Sequence, residues 1–572
     1  MTTAAKSEAL VLISDFNLSN LASILTKDPS SPSIIPKLAP YGQVIQTLMN
    51  QMPELWSEQA TGAVVWTSAE WASAAYKGLL FNQPAGQAQM MQEVDEFCEA
   101  IKQIPQHVRY ILVPTWTTPS YEGRLGLLDM DSTRGTSLAL MRMNLRLVES
   151  LRDDPRIFVL DASRWTGLCG AASFNRRLWY LAKTPYSVEL FRQAAEDIKA
   201  AIRTLSGASR KLLVVDLDDT LWGGIVGDIG WERVRLGGHD PVGEAFKDFQ
   251  LALKGLARRG ILLAIASKNE EKTALEAIRC NREMVLGLDD FAGWRVNWED
   301  KAQNILTLAT DLNLGLQSVV FIDDNPVERA RVREALPEVL VPDWPINPMD
   351  YKASLLGLRC FDNARVTTED LQRTEMYASE RKRNECRQNL HSVDQWLETL
   401  NLQVEVEGLN KDNLERASQL FNKTNQMNLS TRRLTILELW DWSQRPENAL
   451  LTFRVSDKFG DYGLVGIASL AVDCGARDAR VMDFLISCRV MGRKVEETML
   501  HVLTGAAARM GAEILRAEYL PTTKNKPCLD FLDRSGFEKQ TLLFSWPLDK
   551  AYEKPKAVNL VSKGAMASNR LF

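Results

Sequence analysis

The eight cysteines of this 572-residue chain include no Cys-x-x-Cys pair, and its four histidines are dispersed. Neither a zinc cage, nor a His-rich metal site, nor a disulfide framework is therefore expected. No apolar run approaches the ~18 residues needed to span a bilayer, and the opening MTTAAKSEALVLISDF lacks the charged-then-apolar pattern of an export signal. The expectation is a soluble protein in a reducing cytoplasm, with no membrane partner. Positive charge is not in excess either: 68 Lys and Arg against 73 Asp and Glu leave −5. No global basic field exists to hold nucleic acid, so an anionic substrate needs a local site. Apolar residues are plentiful, at 45% beside 25% charged, as in ordinary globular chains. At about 150 residues per domain the length predicts three or four domains.

The hydrophobic pattern divides the chain. Up to residue 205, short apolar runs (ALVLISD 9–15, ATGAVVWT 60–67, VRYILVPTW 108–116, RIFVLDA 156–162) alternate with amphipathic stretches such as 93–104 and 136–151, predicting a doubly wound α/β domain. Residues 206–350 form a second α/β unit whose strands, in KLLVVDLDDT, ILLAIAS (261–267) and SVVFIDD (318–324), each end in polar residues. In parallel sheets ligands sit beyond those carboxyl ends. Residues 351–400 read as a charged helical connector. Residues 401–548 show consecutive antiparallel strands and then a helix, VEETMLHVLTGAAARMG, an α+β pattern. Residues 549–572 read as a loose tail.

The chemistry concentrates in the second unit. Asp216 and Asp218 stand two apart at the end of an apolar strand, followed by Thr220. A carboxylate that attacks phosphorus needs a cation to lower anion repulsion and a second carboxyl group to protonate the leaving oxygen and then activate water. Alone, Asp-x-Asp is more often a loop or cap. Here Ser267, Lys268 and Asn269 follow a second strand, Lys301 lies in NWEDKAQNI, and Asp323 and Asp324 follow a third. Together they supply a hydroxyl and an amide for phosphate, a neutralising ammonium, and carboxylates for Mg²⁺. His239 in LGGHDPVG reads as a surface-loop histidine, and Trp222 and Trp298 are notable only because they flank the motif aspartates and Lys301.

In this order, DLDDT, Ser267, Lys301 and the Asp323-Asp324 pair resemble the four motifs of the haloacid dehalogenase-like (HAD) phosphohydrolases. The resemblance implies a HAD-like Rossmannoid domain with Asp216 as phosphoryl-accepting nucleophile and Asp218 as general acid/base. It also implies Mg²⁺ held by Asp216, the Asp218 carbonyl and Asp324, with Asp323 in support. Asp219 stands where many members have Gly. DLDDTLWGGIVGD, GGHDPVGEAFKDFQ, FIDDNPVERARVREALPEV, NKTNQMNLSTRR (422–433) and DFLISCRVMGRKVEE (483–497) further resemble the FkbH-like proteins. That likeness implies dephosphorylation of D-1,3-bisphosphoglycerate and delivery of a glyceryl unit, through an enzyme cysteine, to a phosphopantetheinylated acyl carrier protein in polyketide biosynthesis. Some relatives are thought to deliver a lactyl group.

LISC, RVMGRK and the helix after it resemble the acyl-CoA loop of GNAT acetyltransferases, where N–H groups at a helix start hold phosphate. Arg489, Gly492, Arg493 and Lys494 are then expected to receive the carrier arm. Cys488, read as ending the strand beside it, is the candidate acyl carrier, against the bland reading of a buried strand cysteine. In the first domain, ISDFN (13–17) falls where SGNH-type hydrolases carry Gly-Asp-Ser, with Phe16 in place of the serine. A phenylalanine cannot attack an ester, so the resemblance implies a catalytically silent SGNH-like domain used for docking or dimerisation, a homodimer included. Asp15, Asn17 and Trp116 are candidates for a residual cleft, with core and turn roles as the alternative. Two competing functions are a stand-alone HAD phosphatase carrying an acetyl-CoA-dependent GNAT domain, and a non-catalytic assembly factor.

Overall fold

The computed structural model describes residues 7–83, 86–118, 125–238, 240–363, 393–424, 426–473, 475, 477–522 and 524–563. His239, most of the expected connector (364–392) and residues 564–572 lie outside the described residues. The chain is a multidomain α/β protein with two compact units, Met1–Ser206 and Gly207–Phe572. Among the described residues no helix is long and apolar enough to cross a membrane.

In the first unit, strands β1 (Glu8–Ile13), β2 (Ile34–Leu38), β3 (Ala60–Val65), β4 (Tyr110–Pro114) and β5 (Ile157–Leu160) form a parallel sheet in the order β2-β1-β3-β4-β5. The inner strands β1, β3 and β4 are largely buried apolar runs because both faces are covered. Val11, Ile13, Ala63, Val65, Ile111 and Val113 enter one core, and Leu10, Leu12, Val64, Trp66 and Leu112 enter the other. Phe16 is 3% exposed and meets the rings of Trp66 and Tyr186 edge-on, with centroids 5.6 and 5.4 Å away, so it fills core space. Asp15 accepts from the backbone and hydroxyl of Ser68, Asn17 bonds Ala182 O and the Ser19 N–H, and the Trp116 indole N–H donates to Thr67. These bonds tie strand-end loops together, while Asn17 also lines a surface cavity with Ser14, Phe16 and Lys183.

The second unit holds two sheets. β6 (Leu212–Val215), β7 (Leu262–Ser267), β8 (Phe291–Val296) and β9 (Val319–Ile322) are parallel, in the order β8-β7-β6-β9. They too alternate between two cores, Leu213, Val215, Leu263, Ile265, Val320 and Ile322 on one side and Leu212, Val214, Leu262, Ala264, Val319 and Phe321 on the other. All four strands run the same way, so the carboxyl ends of β6, β7 and β9 deliver their polar residues to one end of the sheet.

Further along are β10 (Leu402–Gly408), β11 (Met427–Asn428), β12 (Asn448–Asp457), β13 (Gly460–Asp473), β14 (Asp478–Ile486), β15 (Ile514–Glu518), β16 (Glu538–Gln540), β17 (Leu543–Pro547) and β18 (Val558–Ser562). The long path is β16-β17-β15-β14-β13-β12-β10-β18, with β11 paired to β14. The expected tail requires correction: β18 lies within it and pairs in parallel with β10, from Leu402↔Val558 to Val406↔Ser562. The strand expected to end at Cys488 ends at Ile486, and Cys488 lies in a short 3₁₀ turn, Cys488–Val490.

Candidate active site

Asp216 follows β6 directly, and its N–H donates to Ile322 O (3.0 Å), which carries the β6–β9 ladder one residue further. The chain then turns sharply: Asp219 has φ +51°, and the N–H groups of Thr220 and Leu221 both donate to Leu217 O. Asp tolerates this left-handed conformation better than most residues, because its short side chain bonds locally. Here Asp219 Oδ1 accepts the Gly224 N–H at 2.7 Å. That local bond does part of the work that a glycine would do at this position. Asp323 and Asp324 follow β9 and precede the helix Pro326–Ala335, whose N-cap Asn325 accepts from the Val327 N–H. Lys301 opens the helix Lys301–Asp311, capped by Asp300.

These segments converge. Lys301 Nζ lies 2.6 Å from Asp323 Oδ2 and 3.0 Å from Asp216 Oδ1, with all three side chains buried. Burial alone would lower the lysine pKa, but the charges of Asp216 and Asp323 override it and hold the ammonium firmly protonated. Burial, then the Asp216 charge, raises Asp323, whose carboxylate is occupied by Lys301 and by the Asn325 N–H. Asp324 is pushed up to about 6 by burial and by the charges of Asp216 and Asp219. Three carboxylates around one ammonium leave an excess of negative charge.

Ligand atoms of Asp216, Asp323 and Asp324 lie within 4.8 Å of one another, and Asp216 Oδ1 is buried and makes no hydrogen bond beyond its ion pair with Lys301. An all-oxygen, anion-rich donor set of this kind fits a hard divalent cation.

Asp218 is held apart from that cluster. Its Oδ1 accepts from the Trp222 indole (2.9 Å) and the Val226 N–H (3.0 Å), and its Oδ2 accepts from the Asn269 amide (2.8 Å). Burial raises its pKa against the pull of these donors. Such a group can carry a proton and give it up in place.

Two of the residues expected to bind phosphate also make internal contacts. Asn269 Nδ2 is spent on Asp218, with a longer contact to Ser267 Oγ at 3.4 Å. The Thr220 hydroxyl is spent on Asp324, contacting its Oδ1 at 3.3 Å and its N–H at 3.2 Å. Ser267 is 1% exposed at the end of β7, and Lys268 pairs with Glu328 at 2.6 Å.

Three contributors were not singled out as site residues from sequence. Trp222, a sequence neighbour of the motif aspartates, donates to Asp218. Tyr351 donates to Asp219 O, and Arg329 donates to the carbonyls of Asp323 and Asp324. Trp222 was findable at four residues from Asp218, and Arg329 at five from Asp324. Tyr351 had no sequence signal.

The loop expected to receive a carrier arm is held by internal contacts. Arg493 is 5% exposed and turned inward: it donates to the Tyr462 hydroxyl and lies 3.9 Å from Asp457 Oδ2, so it is no surface cation. The Gly492 N–H donates to Glu496 Oε1 (2.7 Å), Lys494 pairs with Glu497, and Arg489 Nε donates to Ser487 Oγ. The Cys488 side chain lies outside the described residues. β15 pairs with β14 only from Asp478↔Ile514 to Val481↔Ala517. Beyond that point the β14 edge is taken by the chain's own Met427, Asn428 and Leu429.

Glu496 Oε2 is buried without a partner, and burial pushes this carboxyl up from 4.5 to about 7. A carboxyl whose folded pKa is raised binds its proton more tightly in the folded state, so stability falls as pH rises from about 4.5 to about 7. Glu496→Gln keeps the acceptor for Gly492. It should stabilise the protein by on the order of 3 kcal/mol above pH 7 and have no such effect below pH 4.5, measured by denaturant titration at both extremes.

No protein-family model and no curated protein sequence matches the chain. Among solved structures, the chain is similar to the N-terminal part of the protein BF1531 from Bacteroides fragilis, which contains a phosphatase domain complexed with Mg. The TM-score is 0.56 and the identity 28%, over 63% of this chain and 95% of that one. Two acetyltransferases also align. The ribosomal-protein-S18-alanine N-acetyltransferase from Escherichia coli gives TM-score 0.21 and 11% identity, over 30% and 99% of the two chains. The spermidine N-acetyltransferase from Vibrio cholerae in complex with CoA and spermine gives 0.22 and 14%, over 26% and 99%. Their scores are too low to bear on the fold of the last region. The BF1531 likeness and the strand-end cluster agree: this chain carries a HAD-like phosphatase domain.

Proposed function

We propose that the protein is a Mg²⁺-dependent phosphatase coupled to acyl transfer, which takes D-1,3-bisphosphoglycerate and loads a glyceryl unit onto a phosphopantetheinylated acyl carrier protein. The observation that carries the phosphoryl half is the buried Asp216–Lys301–Asp323 ion-pair cluster beside Asp324, with Asp218 held in reach of the same strand end. Mg²⁺, the ion in the BF1531 phosphatase domain, would be held by Asp216, Asp324 and the Asp218 carbonyl, and would neutralise charge on the phosphoryl oxygens.

In this reading an Asp216 carboxylate oxygen attacks the terminal phosphorus and the bond to the leaving oxygen breaks. Asp218 gives that oxygen its proton. As a carboxylate, Asp218 then takes a proton from water, whose oxygen attacks the phospho-Asp216 phosphorus, restoring Asp216 and releasing phosphate. Lys301, 3.0 Å from Asp216 Oδ1, orients the attacking carboxylate. The acyl phosphate is already activated, so a Cys488 thiolate attacking its carbonyl expels phosphate and forms a thioester. Exchange with the carrier thiol then returns the cysteine. The FkbH-like wording on both sides of the expected connector supports this half, and an SGNH-like first domain and a GNAT-like last domain are part of it.

A second reading, a phosphatase without carrier loading, is favoured by one observation: the β14 edge and the Gly492 N–H are occupied by the chain's own groups. Intact-protein mass spectrometry separates the two. After incubation with D-1,3-bisphosphoglycerate, Mg²⁺ and a phosphopantetheinylated carrier, a glyceryl-sized adduct is expected on the carrier and is expected to be lost with Cys488→Ala. Phosphate release with no adduct would establish the second reading. A lactyl-sized adduct from a lactyl donor would change the delivered unit.

A further inference from the structure

Asp324 presents its carboxylate from a main chain that is itself clamped. Arg329, three residues into the helix Pro326–Ala335 and 9% exposed, forks one nitrogen, Nη1, onto Asp323 O and Asp324 O, both at 2.7 Å. The Asn325 N–H donates to Asp323 Oδ1, so the turn between β9 and its helix is fixed from both faces. On the β6 side, Tyr351 is 1% exposed and packed among Phe246, Phe249 and Trp344. It donates to Asp219 O at 3.1 Å, one residue beyond the Asp218 carbonyl. Neither side chain reaches the carboxylate cluster itself. A charged donor shared by two carbonyls, in a buried site, is strong and geometrically restrictive.

Resting on the phosphatase reading, we propose that Arg329 and Tyr351 are positioning residues for the divalent cation: they hold the two main-chain turns that present Asp324 and the Asp218 carbonyl, so that the cation binds without reordering them. A ligand set that is fixed beforehand loses less entropy on binding, and partners that orient metal ligands are worth about 10–100-fold in metal affinity. The effect belongs to cation binding, not to recognition of the phosphate.

The test uses Mn²⁺ as the probe, with free ion followed by electron paramagnetic resonance, on the full-length protein. Arg329→Met is expected to weaken Mn²⁺ binding by about 10–100-fold. Tyr351→Phe, which removes only the hydroxyl, is expected to weaken it by several-fold, and Arg329→Lys to recover part of the loss. KM for p-nitrophenyl phosphate at saturating Mn²⁺ should stay within about 3-fold of wild type, as a loss confined to the cation predicts. A folded Arg329→Met protein that binds Mn²⁺ as tightly as wild type overturns the proposal. If that variant does not fold, wild-type affinity in Tyr351→Phe overturns it instead. A wild-type protein that binds no Mn²⁺ would overturn the phosphatase reading, a result distinct from either.

Discussion

Asp216→Asn is expected to abolish phosphate release from p-nitrophenyl phosphate and from phosphorylated three-carbon acids, with a loss of about 10⁴-fold or more, as when a covalent nucleophile is removed. The substitution is nearly isosteric, and the amide still sits at the end of β6 within reach of Lys301. An amide is far less nucleophilic towards phosphorus than a carboxylate, and it brings no negative charge to the cation. The protein should remain folded, because replacing one of the three crowded carboxylates relieves repulsion that Lys301 only partly neutralises. Steady-state assays beside a thermal melt check both halves. Unchanged turnover would rule out Asp216 as the nucleophile, and absence of turnover in the wild-type protein would return the chain to the assembly-factor reading.

Lys301→Met should damage both rate and stability. The ammonium is the only cation in ion-pair contact with Asp216 and Asp323 among the described residues, and the Asp323 side chain has no exposed surface. Removing one partner from a buried pair typically costs about 3–5 kcal/mol. The loss of a preorganised electrostatic group should lower kcat by about 10²–10³-fold. The stability deficit should carry a sign with pH. Burial and Asp216 already raise Asp323, and without Lys301 the shift grows. The folded variant then holds the proton more tightly than the unfolded chain, so its stability falls as pH rises through the range where Asp323 ionises. A denaturation series that showed no pH trend relative to wild type would contradict this assignment of charge.

The carboxylate cluster was legible because each member follows a buried apolar run. Strand continuity alone places Asp216 and Asp323–Asp324 at the same end of a parallel sheet. What the runs could not reveal were contacts made through backbone atoms: Tyr351 reaches a carbonyl 132 residues away, and Arg329 bonds carbonyls whose positions depend on the turn. Asn269 and Thr220 have side chains suited to phosphate, and their contacts with Asp218 and Asp324 could not be read from the sequence. Edge strands hid for a different reason. β2 contains Pro36, and Ile35 and Leu38 are exposed, as an edge position allows. β18 has the same half-exposed pattern, and the two-residue β11 exists only through its distant pairing with β14. Arg493 illustrates the limit for charge: a run of basic residues at a helix start reads as a surface, whereas Tyr462 and Asp457 draw this one inside.

The most direct test of the central claim is to quench the enzyme during Mg²⁺-dependent turnover of p-nitrophenyl phosphate, reduce it with borohydride, and map the peptides by mass spectrometry. An acyl phosphate at residue 216 is reduced to homoserine, so the account predicts that modification at Asp216 in wild type and its absence without Mg²⁺. Turnover that leaves Asp216 unmodified, or that marks a different carboxylate, would contradict it.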